Sequence, residues 1–188
     1  MKTCLPVLIV LIAASASTGV WAQEWRPIDA SRTVHFTAAG LEKTTPFYTA
    51  RQDTVHFAWR EFSPWRGASG VRAEILHSQL APGWVFTTVE KVLDEGDVKF
   101  WNFFKDKTIA IGRSGREANG YGSVDFSHFA LAGANCVIFR QVFAERSEDL
   151  RNRKTDLLSG YYCAAAGRGL SEEDARSILR AYEIHAPN

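Results

Sequence analysis

Gly120-Tyr121-Gly122-Ser123-Val124-Asp125-Phe126-Ser127-His128-Phe129-Ala130-Leu131, then Ala132-Gly133-Ala134, then Asn135-Cys136-Val137-Ile138-Phe139-Arg140-Gln141-Val142-Phe143-Ala144: two strand-forming arms meet at a glycine-centred turn, the signature of a β-hairpin. The second arm is apolar on both faces, which is the composition of a strand in the middle of a sheet. An antiparallel sheet is the expectation from which the neighbouring segments take their places.

On the C-terminal side, the charged run Glu145 to Asp156 reads as a solvated connection, and Tyr161-Tyr162-Cys163-Ala164 as a further short strand. If that strand lies near the second hairpin arm, Cys136 and Cys163 are within bonding reach. Ser171 is a good N-cap, Glu172, Glu173 and Asp174 favour the positive end of a helix, and Ala175, Ile178, Leu179 and Tyr182 recur on one face. These features predict an amphipathic C-terminal helix.

On the N-terminal side, Gly112 to Gly122 reads as a loop and Thr108 to Ile111 as a short apolar strand. Phe100, Trp101, Phe103 and Phe104 form an aromatic cluster. Residues 84–94 mix a helical stripe of Val85, Val89 and Val92 with strand composition, and the stripe favours a helix. Val71 to Leu80 is a strand, and the glycines and proline of Ser63 to Gly70 punctuate the chain before it. Residues 32–38 and 53–59 are near copies, Thr33-Val34-His35-Phe36 against Thr54-Val55-His56-Phe57, and read as half-buried strands able to pair. About six strands, one or two helices and no alternation between them define an α+β class. The expected architecture is an antiparallel sheet with the C-terminal helix packed on it and one disulfide.

Lys2, the apolar run Leu5 to Ala14 and the small residues of Val20-Trp21-Ala22 have the form of a cleaved export signal. The apolar run is about half of the roughly 20 residues a spanning helix needs, so no membrane span is expected. Cys4 precedes the run, whereas a lipid-bearing Cys would follow it. Removing residues 1–22 of 188 leaves 166, enough for one globular domain over residues 23–188. The compartment is then the periplasm or the exterior, where the two remaining cysteines, Cys136 and Cys163, are expected to bond rather than persist as buried free thiols.

Composition and motif content exclude several functions. Lys2 is the single charge of the signal, so the mature chain carries 21 basic and 21 acidic residues. Such a balance gives no basic stripe for nucleic acid. An aromatic content of 12% is the composition of a folding chain, not a disordered one. No C-x-x-C, H-E-x-x-H, G-x-x-x-x-G-K-[ST] or strand-led G-x-G-x-x-G is present, so no cofactor or metal is called for. Gly112-Arg113-Ser114-Gly115 and Gly67-Ala68-Ser69-Gly70 place the glycine one residue early for a nucleophile elbow. In Asp125-Phe126-Ser127-His128 an extended backbone turns Asp125 and His128 to opposite faces, so these residues do not form a triad among themselves. His35 and His56 share the polar face of their repeats and could approach a metal only if the two strands pair.

Two features suit binding. Trp59, Phe62 and Trp65, interleaved with Arg60 and Arg66, offer flat rings and cationic forks to a saccharide, peptide or protein. Arg113 and Arg116 lie in the glycine-rich loop, where an anion can be received. The competing reading assigns the rings to the core and the arginines to solvent. Trp59, Trp65, Arg113 and Arg116 are the sequence-level candidates for a ligand site.

Cys136-Val137-Ile138-Phe139, Gly160-Tyr161-Tyr162-Cys163-Ala164, Gly167, Leu170-Ser171 and Asp174-Ala175 together resemble the C-terminal segment of uncharacterised secreted proteins of proteobacteria. That resemblance covers about 50 residues and implies a bacterial periplasmic or secreted protein, with no catalytic residue to transfer. The sequence supplies no coherent acid, base, nucleophile or metal set. The leading expectation is a noncatalytic extracytoplasmic binding or interaction protein. The alternative is a small hydrolase with a site assembled from scattered His, Asp and Glu, marked by a cleft converging on a histidine with a carboxylate in reach. Intact-mass measurement of exported protein should give a chain beginning at Gln23 or within a residue or two of it; a membrane-bound species retaining residues 1–22 would refute the export reading.

Overall fold

A computed structural model describes residues 25–28, 33–37, 41–43, 47–51, 56–86, 90–143 and 154–184. The segment 1–22 read as an export signal therefore lies outside the described residues, as does most of the run Glu145 to Asp156. In chain order the elements are β1 (Arg26–Ile28), β2 (Val34–Phe36), β3 (Leu41–Lys43), β4 (Phe47–Arg51), β5 (Phe57–Gly67) and β6 (Arg72–Leu80). Then come α1 (Glu95–Lys99), β7 (Ala110–Asn119), β8 (Gly122–Leu131), β9 (Ala134–Phe143), β10 (Asp156–Cys163), α2 (Glu172–Arg180) and β11 (Tyr182–Ile184).

The expected hairpin is present: β8 and β9 pair from Leu131 opposite Ala134 to Val124 opposite Gln141. Gly133 turns the chain with φ near +81°, a conformation a side chain disfavours. The main sheet is antiparallel throughout and runs β1-β4-β5-β6-β10-β9-β8-β7, with β3 also paired to β5. β10 sits between β6 and β9, and Cys163 falls directly opposite Cys136. The two are joined by a disulfide with Cα atoms 4.1 Å apart. An α+β class with a mostly antiparallel sheet and one disulfide is thus what the chain adopts.

Side-chain alternation sends β9 and β10 into two different cores. Val137, Phe139, Phe143, Leu158 and Tyr162 point to one face, where Ala175, Ile178 and Leu179 of α2 cover them. Cys136, Ile138, Tyr161 and Cys163 point to the other, under Leu93, Val98, Trp101 and Phe104. On the α2 face Gly160 has no room for a side chain: a Cβ there would lie 2.5 Å from the Phe139 ring. The Phe139 ring in turn stacks on Tyr182 at 5.8 Å. Buried Gln141 is satisfied there by Asn119, donating through Nε2 at 2.8 Å and accepting from the Tyr182 hydroxyl at 2.6 Å.

Helix α2 starts where its cap dictates. Ser171 Oγ accepts the Asp174 N–H at 3.0 Å while Asp174 accepts the Ser171 N–H at 3.0 Å, a reciprocal capping box. Arg176 and Arg180 then reach Glu117 on β7 at 3.0 and 2.7 Å. The hydrogen bond from Arg180 outweighs partial burial and holds the Glu117 carboxyl below its ordinary pKa. A lowered folded-state value means that this tie is fully present above the ordinary carboxylate pKa and is lost only as pH falls through the lowered one. The chain does not end in the helix: β11 follows and pairs with β2 to form a separate ribbon.

Several expectations need correction. Gly112 to Gly122 is not a loop; most of it belongs to the ten-residue edge strand β7, whose register shifts between Ile111 and Ser114. An edge strand exposed on both faces lacks the apolar alternation that marks a strand in sequence. No helix spans 84–94: the described part is irregular, and α1 begins only after the capping box of Asp94 and Asp97. The near-copies do not pair, since β2 joins β11 whereas β5 lies between β4 and β6. Residues 52–55 of the second copy lie outside the described residues. Ser63 to Gly67 continues β5 rather than ending it. Pro64 is tolerated because β4 pairs only as far as Phe62 and β3 only from Trp65, leaving a break where a missing N–H is least damaging.

The disulfide links the two strands that carry both cores, and loss of a native disulfide in a small exported domain costs about 2–5 kcal/mol. Replacing Cys136 and Cys163 together by Ala should lower the denaturation midpoint by that amount with the sheet retained. Loosening of α2 should precede that of the hairpin in hydrogen exchange. Two titratable thiols in unreduced, denatured exported protein would overturn the bond.

Candidate functional site

The four sequence-level candidates do not converge. On β5 alternation places Trp59 and Trp65 toward α2 and Arg60 and Phe62 toward α1. Trp65 is 2% exposed and belongs to the α2-side core, so its ring presents no face to a ligand. Trp59 is half-buried, donates through Nε1 to Gln79 at 2.8 Å and packs edge-on against His77 at 4.7 Å. Arg113 is exposed and bound to Glu172 of α2. Arg116, on the opposite face of β7, is held by Asp125 at 2.8 Å and Glu90 at 3.4 Å.

The histidines are scattered as well. His35 is exposed on β2, and His56 packs on Trp84 with ring centroids 4.5 Å apart. His128 is half-buried on β8, where burial lowers its pKa despite the nearby Glu172. His77 has a carboxylate within hydrogen-bond reach: Nε2 lies 3.2 Å from Asp156 Oδ1. Glu61 faces His77 across the strand pair and accepts the Thr33 N–H at 3.4 Å and the Ser63 hydroxyl at 3.3 Å. His77 and Asp156 are 2% and 0% exposed, walled by Trp59 and Phe143. A general base must meet the proton it removes, and these two line none of the cavities described here. The pair therefore anchors the start of β10, the residue sequence reading had left in a solvated connection. Among the described residues no group of three or more His, Cys, Asp and Glu is placed to hold a metal ion.

A different site lies on the α1 face. A cavity of about 380 Å³ opens between the sheet and α1, within the size range of small-molecule sites. Its floor comes from three adjacent strands: Leu76 and Ser78 of β6, Leu157 and Ser159 of β10, Ile138 and Arg140 of β9. Leu93, Asp97, Phe100 and Trp101 form the opposite wall, and Phe57, Arg60 and Lys91 stand at the sides. Trp101 is held edge-on to Tyr161 at 5.2 Å, whereas Phe100 is 59% exposed.

Charge in this cavity is one-sided. Arg60, Lys91 and Arg140 line it against one carboxylate, Asp97, in a chain whose formal net charge is only +1. Asp97 is already engaged by Lys91 Nζ and by the Asp94 N–H at 3.0 Å. Asp125, opposite Arg140 in register, is likewise taken by Arg116 and by the Lys91 N–H at 3.1 Å. Arg60 lies over the Phe57 ring at 5.2 Å, and burial pushes its guanidinium below its ordinary pKa. Arg140 is half-buried and, among the described residues, has neither an ion pair nor a side-chain hydrogen bond.

Sequence reading missed Arg140. The available signal was one cation inside Cys136-Val137-Ile138-Phe139-Arg140-Gln141-Val142-Phe143, a run otherwise suited to a strand covered on both sides. No helix among the described residues is long and apolar enough to cross a membrane. No family model, curated protein or solved structure matches the chain.

The anchoring role of Asp156 is testable through stability. Asp156→Ala leaves a buried imidazole without its partner and should destabilise the protein by about 1–3 kcal/mol, read from denaturant unfolding. A midpoint equal to that of the unaltered protein would show that the pair contributes nothing to the fold.

Proposed function

We propose that the chain is a noncatalytic binding protein of the periplasm or exterior and that its ligand occupies the cavity between the sheet and α1. The observation that carries this reading is the cavity itself: a floor from three central strands in which Leu76, Ile138 and Leu157 surround a half-buried arginine that has no ion pair among the described residues. Export is supported by the signal-like segment at residues 1–22, the Cys136–Cys163 bond and the resemblance of the C-terminal segment to secreted bacterial proteins. A chamber of this volume favours a small molecule over the flat protein, peptide or saccharide contact expected from the tryptophans. The hydrolase alternative has a buried His–Asp pair in its favour, but that pair lines none of the three described cavities.

Nile red, a neutral fluorescent probe of apolar cavities, offers a direct test. Exported protein should bind it saturably at one site per chain. Ser159→Trp, which projects a ring from the cavity floor, should abolish the fluorescence gain, and Trp59→Ala, on the opposite face, should leave it unchanged. Equal binding by the Ser159→Trp protein with native circular dichroism would refute the cavity as the site.

A further inference from the structure

We infer that the cavity takes a small monocarboxylate with an apolar body, its carboxylate on Arg140 and its body along Leu76, Ile138 and Leu157. This deepens the binding reading and rests on it.

One observation and two physical arguments converge on that class. Arg140 projects from the central strand β9 into the cavity, opposite Ser159 of β10, and shares the lining with Leu76, Ile138 and Leu157. Guanidinium stays charged under physiological conditions and presents a planar fork that matches two carboxylate oxygens. A cation held among apolar side chains, whose cross-strand neighbour Asp125 is bound to Arg116 and to the Lys91 N–H, gains from an anion that enters with it.

Among the described residues no carboxylate pairs with Arg140. Asp125 and Asp97, the carboxylates placed closest to this role, are saturated by Arg116 and Lys91 and by backbone N–H groups. Both are fixed by the local fold: Asp97 completes the cap of α1, and Asp125 is bound from two sides. Both acids are thus committed to partners other than Arg140.

The remainder of the lining restricts the ligand further. Arg60 adds positive potential on one side and is packed on aromatic rings, while Lys91 is engaged by Asp97. One partner-free guanidinium suits a single negative charge better than a dianion, which needs several donors. The apolar floor excludes a fully hydrated ion, because a desolvated Leu76, Ile138 and Leu157 surface returns free energy only to a ligand that covers it. An apolar tail joined to one carboxylate satisfies both demands at once.

Calorimetric titration with decanoate, decanol and decyltrimethylammonium separates these demands, because the three share a tail and differ in head charge. The exported protein should bind decanoate at one site per chain, with decanol and the cation weaker by about tenfold or more, the scale of one charge-assisted contact. Arg140→Gln should bring decanoate down to the level of decanol and leave decanol unchanged. Arg140→Lys, which keeps the charge and loses the fork, should fall between. The comparison of head groups on the unaltered protein does not depend on the variants folding.

Decanol or the cation binding as tightly as decanoate would overturn the anion inference while leaving the cavity reading intact. So would decanoate affinity unchanged in a folded Arg140→Gln protein. Failure of all three amphiphiles overturns the inference as well; Nile red bound and lost in Ser159→Trp would then preserve the cavity reading, and its absence would end both.

Discussion

Two neighbouring strands that are apolar on both sides are the constraint on which the rest of the structure depends. β9 and β10 each send large side chains into both cores, so neither face of the sheet centre can be left in water. A sheet of this kind requires two covers, and the chain provides them from opposite ends of its central hairpin. The α1 segment precedes the hairpin and covers one face; α2 and the β2–β11 ribbon cover the other. The disulfide fixes the register at which both covers must fit, because it joins β9 and β10 at the point where the chain leaves for α2.

How much of this was legible in the sequence follows from which forces act locally. The β8–β9 hairpin, the bond between Cys136 and Cys163 and the capped helix α2 are written in adjacent residues: a turn glycine, an even pair of cysteines, a Ser and Asp three apart. Strand β7 is not, since its fold is decided by the edge of β8. Gly115 is required there because a Cβ would meet the Phe126 ring at 2.8 Å, a cross-strand fact with no local trace. Residues 84–94 misled in the same way: Val85 and Val92 recur at helical spacing, yet both are exposed, so the stripe has no core to face. β-branched residues without burial give a helix little reason to form.

Legibility of the site failed for a simpler reason. Trp59, Arg60, Phe62, Trp65 and Arg66 look like one cluster in a linear reading, and a strand divides them between two faces. Interleaving of aromatic and basic residues, which suggests a shared surface in a flexible segment, guarantees separation in an extended one. The residues that do share a surface, Ser78, Arg140 and Ser159, come from three strands and are separated by more than sixty positions between the first two. What the sequence offered was the anomaly of Arg140 in an apolar strand. That anomaly becomes informative only once both faces of β9 are known to be covered.

The two covers differ in kind, and the difference bears on where a ligand can enter. Helix α2 is nine residues long, closed by a reciprocal cap, seated by three buried side chains and tied to β7 through Glu117. The opposite cover is a five-residue helix with a single buried side chain, Val98, followed by a short 3₁₀ turn at Asn102–Phe104. Trp101 and Phe104 pin that turn to Tyr161 at 5.2 and 4.6 Å, so one anchorage lies at its C-terminal end. The N-terminal end is anchored as well: Val92 is 67% exposed, but Leu93 is 2% exposed and its carbonyl accepts the Ser127 hydroxyl at 2.8 Å. Elements with few buried contacts open at the lowest free energy. The cavity lies beneath the shorter cover, whose hold on the sheet rests on Leu93 and Val98 as well as on Trp101, so any opening on this side works against the core those residues share.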